Sequence, residues 1–128
     1  MMGRGIRYFK ASDVRDMMQD IIDKLQLKHL DVKRIICIRS QGTKTNAVAR
    51  IYGLPRIWQK ALNIKPYYII EVISERYDSL PQEEKIRVLI HELLHIPETF
   101  SGGLRQHGKL VNNEKVNELY IKYVSASK

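Results

Sequence analysis

Apolar residues fall at Val14, Met17, Met18, Ile21, Ile22 and Leu25 after Ser12, a spacing of i, i+3, i+4, i+7, i+8 and i+11. This predicts an amphipathic helix with a serine N-cap, its methionines in the core. Val32 to Arg39 is rich in β-branched residues and ends in the turn-prone Ser40-Gln41-Gly42-Thr43, and Ala47 to Tyr52 resumes an extended pattern. The two read as a hairpin. Gly53 and Pro55 break it, and Arg56 to Leu62 is a short helix bounded by Asn63 and Pro66, with Trp58 as a packing residue. Tyr67 to Ile73 is a third strand. Ser79-Leu80-Pro81-Gln82 then starts a long helix, with Glu83 and Glu84 suiting the positive end of its dipole. Ile86, Leu89, Ile90, Leu93 and Leu94 form its buried stripe, Glu83 pairs with Arg87 on the outer face, and Pro97 ends it. Thr99 to Gln106 is a loop. From about Gly108, Val116, Leu119, Tyr120, Tyr123 and Val124 describe one face of a final helix. The expected fold is α+β: an N-terminal helix, a small three-stranded sheet, a long helix and a C-terminal helix.

Length adds that 128 residues are one domain's worth, so residues 1–128 are read as a single domain. Hydrophobic residues at 44% and charged residues at 28% are ordinary globular usage, which excludes disordered, collagen-like and coiled-coil classes. The longest apolar runs, such as Ile35-Ile36-Cys37-Ile38, fall far short of the roughly 20 residues that span a bilayer, so no membrane partner is expected. Met1 to Arg7 carries charge without a following apolar stretch, unlike a secretory leader, and the expected location is cytoplasmic. The lone Cys37 sits among apolar neighbours and reads as a buried thiol, neither disulfide nor ligand.

The net charge of +8 is unevenly spread. Met1 to Pro66 carries 14 Lys/Arg against 5 Asp, whereas Tyr67 to Lys128 carries 8 against 9 acids. No acid occurs between Asp31 and Glu71, a stretch that holds Lys33, Arg34, Arg39, Lys44, Arg50, Arg56, Lys60 and Lys65. Such a field can attract phosphates, and the basic Val32–Lys65 region is a candidate nucleic-acid contact, though no recognised binding motif accompanies it.

The chemistry concentrates in His91-Glu92-Leu93-Leu94-His95, an H-E-x-x-H pattern within the long helix. Four helical residues advance about 6 Å and turn about 400°, so His91 and His95 project from nearly one face, one turn apart. Two neutral imidazoles can then hold one Zn2+, and a catalytic zinc site needs a third protein ligand with a fourth position left to water. Glu92, next to His91, is the candidate general base. His107 is the favoured third ligand, because Pro97 and Gly102-Gly103 let the intervening loop fold back and bring the start of the last helix to the metal. Glu114 and Glu118 on that helix are its rivals. His29, after the first helix, reads as a surface or capping residue.

The segment from His91 through Ile96-Pro97-Glu98-Thr99-Phe100-Ser101-Gly102-Gly103-Leu104-Arg105-Gln106 to His107 resembles the signature of the metallopeptidases found in archaea and phages. The order of helix, strands and active-site helix is similar to the minimal zincin core of SprT-like and Wss-type proteases. Leu54-Pro55-Arg56-Ile57-Trp58-Gln59 and Tyr68-Ile69-Ile70-Glu71-Val72-Ile73-Ser74 also resemble that family, so the similarity covers about Val32 to His107. It implies a zincin-like fold, metal ligands His91, His95 and His107, and a catalytic Glu92. Metzincins are excluded, since neither their longer histidine spacing nor a methionine after Met18 for a Met-turn is present.

The leading expectation is zinc-dependent peptide-bond hydrolysis on a protein or peptide substrate, with the Tyr67 to Ile73 strand bordering the cleft and receiving extended substrate by strand addition. Two alternatives stand beside it: a DNA-associated basic protein with a SprT-like protease site, and a non-catalytic module in which zinc ties the helices to the sheet.

Overall fold

The computed structural model describes residues 5–128; Met1 to Arg4, part of the stretch compared with a secretory leader, lie outside the described residues. The elements run β1 (Arg7–Lys10), α1 (Ser12–Leu25), β2 (Ile35–Gln41), β3 (Ala49–Gly53), α2 (Arg56–Leu62), β4 (Tyr68–Ile73), α3 (Ser74–Tyr77), α4 (Gln82–Leu94) and α5 (Asn113–Ala126). The α+β class is as the sequence pattern predicts.

The sheet has four strands, not three, in the order β1-β2-β4-β3. The missed strand, β1, is short and exposed at every position, so it carries no alternation to read; it pairs antiparallel with β2, Tyr8 opposite Ser40. The expected β2–β3 hairpin does not form. β4 lies between them, parallel to β2 with Cys37 opposite Ile70, and antiparallel to β3 with Ile51 opposite Ile70. The reason is burial: Tyr68, Ile70, Glu71, Val72 and Ile73 are all buried, Glu71 against Arg50 and Tyr52, and a strand buried on both faces belongs in the middle of a sheet.

One face of the sheet, through Ile35, Cys37, Tyr68, Ile70 and Val72, packs against Val14, Met18, Ile21 and Ile22 of α1, Leu89, Ile90 and Leu93 of α4, and Val116 and Leu119 of α5. Cys37 is buried there with its Sγ 3.7 Å from Met18 Sδ, and burial pushes its thiol up to about 12. The other face carries Glu71, only 2% exposed, which accepts from Arg50 and from the Tyr52 hydroxyl at 2.6 Å.

The element boundaries depart from sequence expectation for local reasons. Ala11, not Ser12, occupies the N-cap of α1, because the Ala11 N–H is already committed to the Cys37 carbonyl of β2. Pro81 sits at the N-cap of α4, one residue earlier than the usual helix-start position, and the Glu83–Arg87 pair forms at 3.2 Å. The same helix ends at Leu94 rather than Pro97. Its last turn tightens through His95 N–H to Glu92 O and Ile96 N–H to Leu93 O, since proline has no N–H to continue the ladder. Gly108 to Asn112 is a turn closed by the Gly108 N–H on Val111 O, so α5 begins at Asn113, where the Asn112 side chain accepts from the Lys115 N–H at 2.7 Å. The last helix therefore does not begin at His107. Trp58, expected to pack, is 56% exposed, as no residue of α2 is buried.

Several cations of the acid-free stretch are neutralised from outside it. Arg34 pairs with Asp31, Arg50 with Glu71, and Arg39 bridges Asp13 of α1 and Asp78 beyond α3 at 2.8 and 2.9 Å. The Arg39 hydrogen bond holds the Asp13 carboxyl below its usual range.

Candidate metal centre

His91 and His95 leave α4 from one face, and the loop from Ile96 to Val111 folds back over them. His91 Nε2 lies 3.0 Å from His107 Nε2 and 3.3 Å from His95 Nε2. The three rings converge with centroids 4.8 to 5.1 Å apart. Three nitrogens at about 2.0–2.1 Å from one tetrahedral ion stand about 3.3 Å from each other, so this donor set fits a small divalent cation. His91, His95 and His107 form a group that can hold a metal ion, all donor atoms within 4.8 Å of one another. Burial first, then the neighbouring His95 and His107, hold the His91 pKa below its usual value, which favours the neutral imidazole that ligates.

The imidazole of His95 is oriented from behind: its Nδ1 stands 2.7 Å from the Arg105 carbonyl oxygen, an acceptor, so the proton belongs on Nδ1 and Nε2 is free to face the group. Arg105 in turn donates its backbone N–H to the His95 carbonyl at 2.7 Å, closing the loop onto the end of α4.

The loop is clasped by residues that spacing alone does not reveal. The Tyr68 hydroxyl, on the central strand, accepts from the Gly102 N–H and donates to the Gly103 carbonyl, both at 2.8 Å, and its ring meets Phe100 edge-on at 4.9 Å. Gln59 of α2 donates to Leu54 O and Ser101 O. Gly53 and Gly102 allow the closest approach, for a Cβ at Gly53 would run into the Gly102 carbonyl oxygen, and Gly102 itself has a φ of +103°. Tyr68→Phe keeps the packing and removes both hydroxyl bonds. It is expected to lower unfolding stability by about 1–2 kcal/mol and metal affinity by about tenfold, read by denaturant titration and chelator competition respectively.

Beside His91 a groove of about 420 Å³ is lined by Ala47, Val48 and Ala49, by Glu84, Arg87, Val88 and Glu92 of α4, and by Asn113 and Val116 of α5. Glu92 is 8% exposed, and burial, with no partner among the described residues to offset it, pushes its carboxyl up to about 7. The strand that borders this groove is β3, a free edge of the sheet. β4, which the sequence reading placed there, has both edges occupied and has none left to offer.

The structure does not gather every candidate. Glu114 is exposed in the first turn of α5 and Glu118 pairs with Lys115 at 3.0 Å; neither joins the histidine group. His29 is half-buried and also stands outside it. Among the described residues no helix is long and apolar enough to cross a membrane.

Neither the curated proteins nor the solved structures include a match to the chain. A family model does match, and it spans residues 6–123, which take in all four strands, α4, the clasped loop and the three converging imidazoles. A protein-cleaving, metal-dependent family is what such a cluster beside an open strand edge would serve, and the chain belongs to the family described as "Putative phage metallopeptidase".

Proposed function

We propose that the protein is a zinc-dependent peptidase in which His91, His95 and His107 hold the metal and Glu92 is the general base. The observation that carries this reading is the convergence of three imidazole rings next to a buried carboxyl in a groove bordered by a free strand edge. Bound metal supplies a Lewis acid that polarises the scissile carbonyl and acidifies a neighbouring water. The Glu92 carboxylate takes the proton from that water as oxygen adds to the carbonyl carbon, then gives it to the amide nitrogen as the C–N bond breaks. The exposed edge at Ala47, Val48 and Ala49, where the chain enters β3, receives the substrate backbone as an added strand, which positions the carbonyl with little demand on side-chain identity. The location is cytoplasmic, and the substrates are extended or locally unfolded proteins.

The test is cleavage of an unstructured protein such as casein, followed by mass spectrometry. Zinc-loaded protein is expected to cut, chelation to stop it, and stoichiometric zinc to restore it. Zinc bound at one equivalent without cleavage of any unstructured substrate would overturn the peptidase reading.

A further inference from the structure

α2 and the turn after it expose four large apolar side chains within eight residues: Ile57 at 73%, Trp58 at 56%, Leu62 at 55% and Ile64 at 43%. Gln59 anchors the helix to the histidine loop, so Ile57, Trp58, Ala61 and Leu62, spaced i, i+1, i+4 and i+5, share an outward stripe. Around them Arg56, Lys60 and Lys65 are exposed, and so is Lys33 on the turn that Arg34 ties to Pro66 O at 3.2 Å. None of these four cations is in an ion pair among the described residues. The acids that bracket the stretch, Asp31 and Glu71, are taken by Arg34 and Arg50. The surface is apolar at its centre, has these four cations around it, and carries the chain's single tryptophan.

The chemistry selects among occupants. A second copy would bring like charges face to face. An oligonucleotide would satisfy the cations and stack on Trp58, but Ile57, Leu62 and Ile64 would gain nothing from bases or phosphates. A bilayer with anionic headgroups takes both parts: tryptophan and aliphatic chains enter the interface while Lys and Arg reach headgroup phosphates. We propose that the α2 face is a peripheral docking surface for an anionic lipid bilayer. Such contact needs no spanning helix, and it revises the expectation that no membrane is involved. Because Gln59 joins α2 to Ser101, docking would set the histidine loop next to the membrane surface.

Trp58 reports directly on this. The full chain is titrated with vesicles of phosphatidylglycerol and phosphatidylcholine, and separately with phosphatidylcholine alone, while tryptophan emission and co-sedimentation are followed. The expected result is a blue shift and sedimentation with the anionic vesicles only, reversed by molar salt. Ile57→Ser with Leu62→Ser should weaken binding at least about tenfold, and so should Lys60→Glu with Lys65→Glu. All four positions are exposed, and circular dichroism checks that each variant folds. No shift and no sedimentation with anionic vesicles would overturn the proposal, as would binding unchanged in both double variants. A shift produced by a single-stranded oligonucleotide but not by vesicles assigns the face to nucleic acid instead, and a shift that follows protein concentration alone assigns it to self-association. The readout requires no peptidase activity, so it stands or falls apart from the proposed hydrolysis.

Discussion

Glu92→Gln is expected to lower peptide hydrolysis by about 10²- to 10⁴-fold while one equivalent of zinc remains bound. Glutamine fills the same space but neither accepts the water proton nor returns it. Simultaneous loss of metal would mean that Glu92 supports the site rather than acting in the reaction. The same substitution has a second signature in the metal-free protein. With its carboxyl raised from 4.5 to about 7 by burial, the folded chain holds a proton that the unfolded chain has released across that interval. Stability therefore falls as pH rises from about 4.5 to 7, by on the order of 2–3 kcal/mol. In the glutamine variant that slope disappears. Hydrolysis assays, elemental analysis and denaturant midpoints at several pH values read the three effects separately.

His107→Ala is expected to weaken zinc binding by more than about a hundredfold, since a direct ligand counts for more than the groups that merely orient one. Glu114→Ala should leave it within about twofold. Competition against a chromophoric chelator measures both, and the reverse order would make Glu114 the third ligand. The geometry behind the expectation is the 3.0 Å approach of His107 Nε2 to His91 Nε2, against the exposed position of Glu114 outside the group.

The three histidines were legible in the sequence because helical period is a short-range rule: residues four apart on α4 must share a face, and a loop of a dozen residues with two adjacent glycines can return the third. What holds that loop was not legible. The Arg105 carbonyl that orients His95, and the Gly102 and Gly103 backbone groups clasped by Tyr68, act through main-chain atoms that every residue possesses. Tyr68 itself read only as one more apolar strand position. Three of the four strands were found where β-branched residues cluster, but their order was not, because pairing β2 with β4 rather than with its sequence neighbour β3 is settled by which strand is buried on both faces. That rearrangement makes β3, not β4, the free sheet edge beside the groove. Trp58 misled for the opposite reason, since tryptophan's usual preference for burial says nothing when the short helix carrying it stands clear of the core.

The contact between Gly53 and Gly102 ties the two halves of the chain together at the point that matters for assembly. The C-terminal half owns every imidazole of the cluster, yet the seat on which their loop rests is built partly from Gly53, Leu54 and Gln59 of the other half. A fragment beginning after α2 would possess all three histidines and still lack the mould that shapes their loop, so the cluster is inherited by the folded chain entire and not by its signature segment.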